Sequence, residues 1–338
     1  MSTQNIEFSF DRDAAWSKVA GRRSVFLDTN CWIDMAEEAN DTACRVRDRL
    51  TELVSSGRLF CPLSWGLLEE LFKQSGESLD RTARLMEELS LNIIYVMRTE
   101  VYEWEVARSV QRACGEPVSE LLNGLFAPVA AFVGSRFSIK WSADIPMAEE
   151  AQDRAKSCMK RELGEISLTE LVKLAGGSVK ERQPPAYSQA AKRARDICRV
   201  NKQKLFLEEA GDIFRIYVMP ALRQYPLHVM LQWMTYYGRP EGENAFFRDC
   251  LVHFPALHNH IEIMVAADMQ PDRKDKNNDF FDYEMIVAPL AYSTAFVSRD
   301  KGIKDLLRHQ TKILNRTTCR YCENLGALEA WLMGKVAQ

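Results

Sequence analysis

Four carboxylates in this 338-residue chain stand at places where alternating strands and helices present side chains for chemistry. Asp28 closes the apolar run Ser24-Val-Phe-Leu-Asp28, and Asp300 closes Phe296-Val-Ser-Arg-Asp300. Glu70, with Glu69 beside it, falls in the first turns of a helical stretch after a second apolar run, and Asp282, with Asp279 before it, opens a helical stretch near the C-terminus. In open parallel sheets ligands gather at the carboxyl ends of the strands. Like charges in one pocket raise each other's pKa, so a cluster of acids there is costly without a cation. Hard oxygen donors suit Mg²⁺ or Mn²⁺, which keep several waters and bind phosphates. Such a centre activates water and stabilises a leaving oxygen in phosphodiester cleavage. For any one of these acids alone, a helix cap or a solvated surface group is the ordinary reading. Four at analogous places point to a shared site.

The elements that must position them follow from patterning. Ser24–Asp28 reads as a buried strand, ended by Thr29-Asn30. Helical spacing runs through Ile33–Glu38 and Ala43–Ser55, then Arg58-Leu-Phe-Cys-Pro-Leu-Ser64 is a second strand, with Ser64 placed to cap a helix through Leu67, Leu68, Leu71 and Phe72. Arg81–Leu89 is helical, Asn92–Met97 a third strand and Tyr102–Ala113 a helix. Near the C-terminus, Asp282–Ala291 suits a helix whose last turn Pro289 marks or bends, Thr294–Ser298 a strand, Ile303–His309 a helix, Lys312–Asn315 a strand and Leu325–Met333 a closing helix. Strands alternating with helices imply a mainly parallel α/β sheet covered on both faces.

Between these portions the stretch from about Pro117 to Lys276 has few strand-like runs, several helical ones (Ala151–Leu163, Gln189–Glu209, Phe214–Leu222) and the breakers Gly176-Gly177, Pro184-Pro185 and Pro240. The economical organisation is one α/β domain built from residues 1–116 and 277–338, interrupted by a helical insertion over 117–276. The insertion concentrates positive charge from Arg154 to Lys204. Within it Lys192, Arg195, Arg199 and Lys202 recur at helical spacing, a face able to neutralise several phosphates or simply to be solvated.

Composition bounds the rest. Hydrophobic residues at 46% and charged residues at 27% can build a buried core, and a net charge of −3 requires any nucleic-acid surface to be local. The polar, acid-containing first twenty residues do not read as a signal or transit peptide, and no run approaches the ~18 apolar residues of a membrane helix, so a cytoplasmic location is expected. Nine cysteines, an odd number, are mostly scattered in apolar surroundings; Cys319-Arg-Tyr-Cys322 has the spacing of half a zinc site but no second pair to complete it. His253, His258 and His260 do not share one helical face, and Pro255 interrupts them.

Phe26-Leu-Asp-Thr-Asn-Cys-Trp-Ile-Asp-Met35 resembles the opening motif of PIN-domain nucleases, an apolar strand ending in Asp-Thr-Asn. Pro62-Leu-Ser-Trp-Gly-Leu-Leu-Glu-Glu-Leu71 is similar to their second motif, and Asp282–Asp300 to their third and fourth. The resemblance covers roughly Ser24–Met97 and Asn278–Met333, and the order of the motifs is more specific than any one of them. It implies a Rossmann-like three-layer PIN-type sandwich and metal-dependent RNA cleavage, often by the toxin of a toxin–antitoxin pair with an antitoxin-like protein partner. It further implies Asp28, Glu70, Asp282 and Asp300 as catalytic ligands of Mg²⁺ or Mn²⁺, with Asn30 and Ser298 as supporting polar residues. Glu69 competes with Glu70 and Asp279 with Asp282; Ser298 stands where Thr is usual, and the long insertion is unlike a minimal PIN domain. A haloacid-dehalogenase-type phosphatase fits less well, because Asn30 occupies the place of its second Asp.

The expectation is therefore an endoribonuclease, with RNA a better substrate than DNA. The alternatives are a catalytically silent PIN-like scaffold that binds RNA or protein, and a DNA-directed nuclease, since the acids alone do not discriminate the sugar.

Overall fold

The fully apolar run Val25-Phe26-Leu27 is buried on both faces of a parallel sheet, the placement that continuous apolar runs favour. The computed structural model describes residues 12–118, 122–134, 166–175, 202–238, 250–269, 279–309 and 318–335. Among these, the strands are β1 (Arg23–Leu27), β2 (Leu59–Phe60), β3 (Ile93–Tyr95), β4 (Phe126–Pro128), β5 (Ala295–Val297) and β6 (Arg320–Cys322). Four of them form a parallel sheet in the order β2-β1-β5-β6, so the protein is α/β with a parallel sheet, as patterning predicts. Among the described residues no helix is long and apolar enough to cross a membrane.

The chain divides into two compact units, and the division falls inside β1. The first comprises Met1–Ser24, Trp32–Tyr95 and Leu122–Val179; the second comprises Val25–Cys31, Val96–Leu121 and Lys180–Gln338.

In the first unit, Asn40 caps the helix Asp41–Ser55 by accepting from the Ala43 amide at 3.0 Å, and Ala43, Val46, Leu50, Leu53 and Val54 bury its apolar face. The return to β2 passes through Gly57 at φ +74°, a left-handed turn that a side chain would strain. Ser64 caps the helix Trp65–Leu71, its hydroxyl accepting from the Leu67 amide at 3.3 Å. The helix Gly76–Ser90 ends in two consecutive left-handed residues, Leu91 and Asn92, which turn the chain into β3. The third expected strand is realised here, shortened to β3. It pairs antiparallel with β4 and makes a single parallel bridge, Leu63 to Ile94, with the chain that follows β2. Strand β4 lies in the stretch read from sequence as the helical insertion; Phe126 within it packs on Phe60 and Tyr95.

In the second unit Phe26 stacks on Phe296 and Phe296 on Tyr321, at 5.8 and 5.9 Å between centroids, which ties β1, β5 and β6 together. The helix Asp279–Tyr292 leads into β5 and continues three residues past Pro289. The helix Lys301–His309 follows β5. The strand expected at Lys312–Asn315 lies outside the described residues. Among the described residues the sheet ends in β6, made from the Cys319-Arg-Tyr-Cys322 segment. Cys319 and Cys322 are buried, and burial pushes their thiols up to about 12 and about 11.

The helix Arg98–Ala113 carries an unexpected polar seam. Tyr102, Glu105 and Ser109 on one face are fully buried, and each is bonded to a helix from later in the chain. Tyr102 meets His260 Nδ1 at 2.8 Å; Glu105 accepts from the Ala256 and Leu257 amides at 2.7 and 3.2 Å and from the Tyr292 hydroxyl; Ser109 accepts from the Trp233 indole at 2.8 Å. These bonds fix the helices Pro255–Asp268, Asp279–Tyr292 and Leu227–Tyr237 against one scaffold helix.

Candidate functional site

Asp28 begins where the β1–β5 ladder ends. Its amide still donates to the Val297 carbonyl at 3.0 Å, and Ser298, the residue after β5, still donates from its amide to Cys322 beyond it. Two neighbouring parallel strands thus deliver Asp28 and Ser298 to the same end of the sheet. Asp28 is only 4% exposed, so its carboxylate must be satisfied from within. Three donors do this. Oδ1 accepts from the Cys31 amide at 2.9 Å, and Oδ2 accepts from the Ser298 hydroxyl at 2.6 Å and the Arg299 amide at 3.1 Å. A carboxylate offers about four acceptor positions, so roughly one, on Oδ1, is left for a ligand.

Ser298 is fully buried and works in both directions: it donates to Asp28 and its oxygen accepts from the Asp300 amide at 3.1 Å. The backbone of Asp300 is thereby tied to the Asp28 carboxylate through one hydroxyl. Asp300 is half-buried and caps the helix Lys301–His309, its Oδ1 accepting from the Ile303 amide at 2.8 Å. The capping role that any single Asp after a strand suggests is therefore real here. It engages Oδ1, and Oδ2 makes no hydrogen bond to a described residue.

The other expected residues stand as follows. Asp279 and Asp282 occupy the first and fourth positions of the helix Asp279–Tyr292, in the same unit as Asp28 and Asp300; their side chains are outside the description. Glu69 and Glu70 are half-buried on the helix Trp65–Leu71 of the first unit. Asn30 is exposed on the first turn of the helix Thr29–Ala36. Lys192, Arg195 and Arg199 fall outside the described residues, and Lys202 begins the helix Lys202–Ile213.

The three histidines go separate ways. His260 is buried between Tyr102 and Arg98, and that burial, with the Arg98 charge, holds its pKa well below the usual value and keeps it neutral. His253 packs on Tyr237, and His258 lies 3.9 Å from Glu262.

The donor set suits a hard divalent cation. Asp28 Oδ1 and Asp300 Oδ2 are the carboxylate oxygens left for one, and Mg²⁺ typically takes one or two carboxylates and keeps its waters. Among the described residues no group of three or more His, Cys, Asp or Glu gathers as a metal site.

Sequence reasoning found the two acids and Ser298. It did not find the backbone donors of Cys31 and Arg299, which no residue type announces, nor the buried seam. The spacing Arg98, Tyr102, Glu105, Ser109 was readable as a helical polar stripe, yet such a stripe ordinarily faces water. No family model, no curated protein and no solved structure matches the chain.

Proposed function

We propose that the protein is a metal-dependent phosphodiesterase that cleaves RNA, built on a PIN-type three-layer sandwich. The observation carrying this reading is the coupling of Asp28 to Asp300 through the Ser298 hydroxyl at neighbouring strand ends, with one acceptor position left on Asp28 and the Oδ2 of Asp300 turned to no described donor. Asp28 and Asp300 hold Mg²⁺ or Mn²⁺ through those oxygens, and Asp282 of the same unit is the third candidate ligand. When bound, the ion supplies charge neutralisation at the phosphate and acidifies a water. The chain's part is to keep the two carboxylates fixed. Asp28 is locked by three donors and Asp300 by the helix it caps, so little reorganisation is needed when a charged substrate arrives.

A second reading has its own observation. The bonds that lock Asp28 and Asp300 also join β1 to the chain after β5 and start a helix, so the same acids serve a silent scaffold equally well. Purified protein incubated with Mn²⁺ or Mg²⁺ and several structured and single-stranded RNAs separates the two. Cleavage that stops on chelation and is lost in Asp28→Asn and Asp300→Asn is the expected result. Folded protein that cuts none of these RNAs, or cuts equally well without both acids, removes the nuclease reading.

A further inference from the structure

Asp300 is bracketed by two basic residues, Arg299 and Lys301, whose side chains are both exposed. The bracket is held in place from beneath. The Arg299 amide is bonded to Asp28, Asp300 caps the following helix, and Lys301 is the first residue of that helix.

Lys301 stands against local stability. The first turn of Lys301–His309 reads Lys-Gly-Ile-Lys and contains no acidic residue, although the positive end of a helix favours acids and disfavours lysine. Gly302 adds a poor helix former to the same turn. Lys304 has an ionic partner in Glu323, whereas Lys301 has no ion pair among the described residues. A turn that breaks local preference twice, at Lys301 and Gly302, directly after the half-buried capping carboxylate of Asp300, has placed charge for something other than the fold.

We propose that Arg299 and Lys301 bind the phosphates on either side of the scissile bond of a single-stranded RNA. Arginine offers a planar fork for phosphate oxygens and lysine a mobile point charge, a pair suited to a backbone whose sequence is not being read. The inference rests on the nuclease reading of the Asp28–Asp300 site, and it concerns binding rather than bond breaking.

The test is fluorescence anisotropy with a labelled single-stranded RNA, in EDTA so that no cleavage intervenes, across a series of salt concentrations. Wild type, Arg299→Ala/Lys301→Ala, Lys301→Glu and Lys18→Ala are compared; Lys18 is an exposed lysine on the helix Arg12–Val19 of the first unit. The double variant is expected to bind roughly tenfold more weakly, with its salt slope reduced by about 1.4, since each single-strand phosphate contact contributes about 0.7. Lys301→Glu is expected to lose binding while its Tm rises by about a degree or two, because an acid suits that helix end. Opposite movements of binding and stability distinguish a ligand contact from a merely structural surface residue. Wild-type affinity in the double variant, an equal loss in Lys18→Ala, or no RNA binding by wild type overturns the proposal. Asp28-dependent cleavage with unaltered binding in the double variant removes this inference and leaves the nuclease reading. Lost binding in a protein that never cleaves RNA does the reverse.

Discussion

The Ser298 hydroxyl lies 2.6 Å from Asp28 Oδ2, across 270 residues of sequence, and the same oxygen accepts the Asp300 amide. One buried hydroxyl therefore holds the Asp28 carboxylate and the Asp300 backbone. Ser298→Ala removes one of the three donors to a buried carboxylate and the acceptor of the Asp300 amide, leaving Asp28 under-satisfied and that amide without this partner. A loss of about 1–3 kcal/mol in unfolding free energy is expected for such unsatisfied groups. Ser298→Thr keeps the hydroxyl and must fit only a methyl group, so its loss, measured by denaturant titration, should be smaller. Equal losses in the two variants would mean that packing, not the hydroxyl, sets the cost.

Asp300 offers a way to part structure from chemistry. Asparagine caps helices about as well as aspartate, and alanine does not, with a typical cost of about 1 kcal/mol. Asp300→Asn should therefore keep its thermal stability while Asp300→Ala loses it, since the cap needs only an oxygen facing the Ile303 amide. For cleavage the ranking changes: removal of one carboxylate is expected to cost on the order of 10²-fold in rate, in both variants alike. If Asp300→Asn retains full activity on a confirmed RNA substrate, Asp300 is a cap and nothing more.

Metal linkage gives an independent measure. A cation that binds the folded chain and not the unfolded one raises Tm by mass action. Mg²⁺ or Mn²⁺ should raise the wild-type Tm, and Asp28→Asn should lose most of that increment. Asp28→Asn should also lower Tm without metal, because its amide group would present a donor to donors that now face a carboxylate. An increment of the same size in wild type and variant would place the metal elsewhere.

These relationships were unequally legible in the sequence. Val25–Leu27 and Ala295–Val297 are short apolar runs followed by polar residues, so β1, β5 and the acids after them could be read directly. Strand β6 could not, because Arg320-Tyr-Cys322 lacks an apolar run, and its register comes from pairing with β5. The division into units inside β1 has no sequence signal either, since it reflects which distant segments each half of one strand pairs with. The buried seam was hidden for a related reason. Glu105 looks like any acid on a helix surface until the Pro255–Asp268 helix lays its first amides on it.

Glu105 supplies the final prediction. It is fully buried, and burial pushes its pKa from 4.5 up to about 7, even though three donors (the Ala256 and Leu257 amides and the Tyr292 hydroxyl) and the Arg108 charge all favour the ionised form. A carboxyl whose folded pKa is raised binds a proton in the folded state first. Its ionisation therefore costs stability above pH 7, and that cost is relieved as the pH falls from about 7 towards 4.5. At 1.36 kcal/mol per unit, the relief is on the order of 3 kcal/mol. His260, close to the same seam, works in the opposite direction. Its folded pKa lies well below 6.5, so the stability it contributes is lost as the pH falls below 6.5, where the unfolded histidine takes a proton. Arg98, Arg108, His258, Glu262 and Tyr292 are among the other charged or titratable groups on the helices meeting there. The raw pH profile of Tm is thus flattened by compensation, and the difference between wild type and Glu105→Gln is the informative quantity. The variant should be less stable at every pH, because its amide faces a backbone donor. Its deficit should widen by several degrees between pH 8 and pH 5 as wild type gains what Gln cannot. Parallel profiles would show that Glu105 stays ionised across this range, with its three donors outweighing its burial.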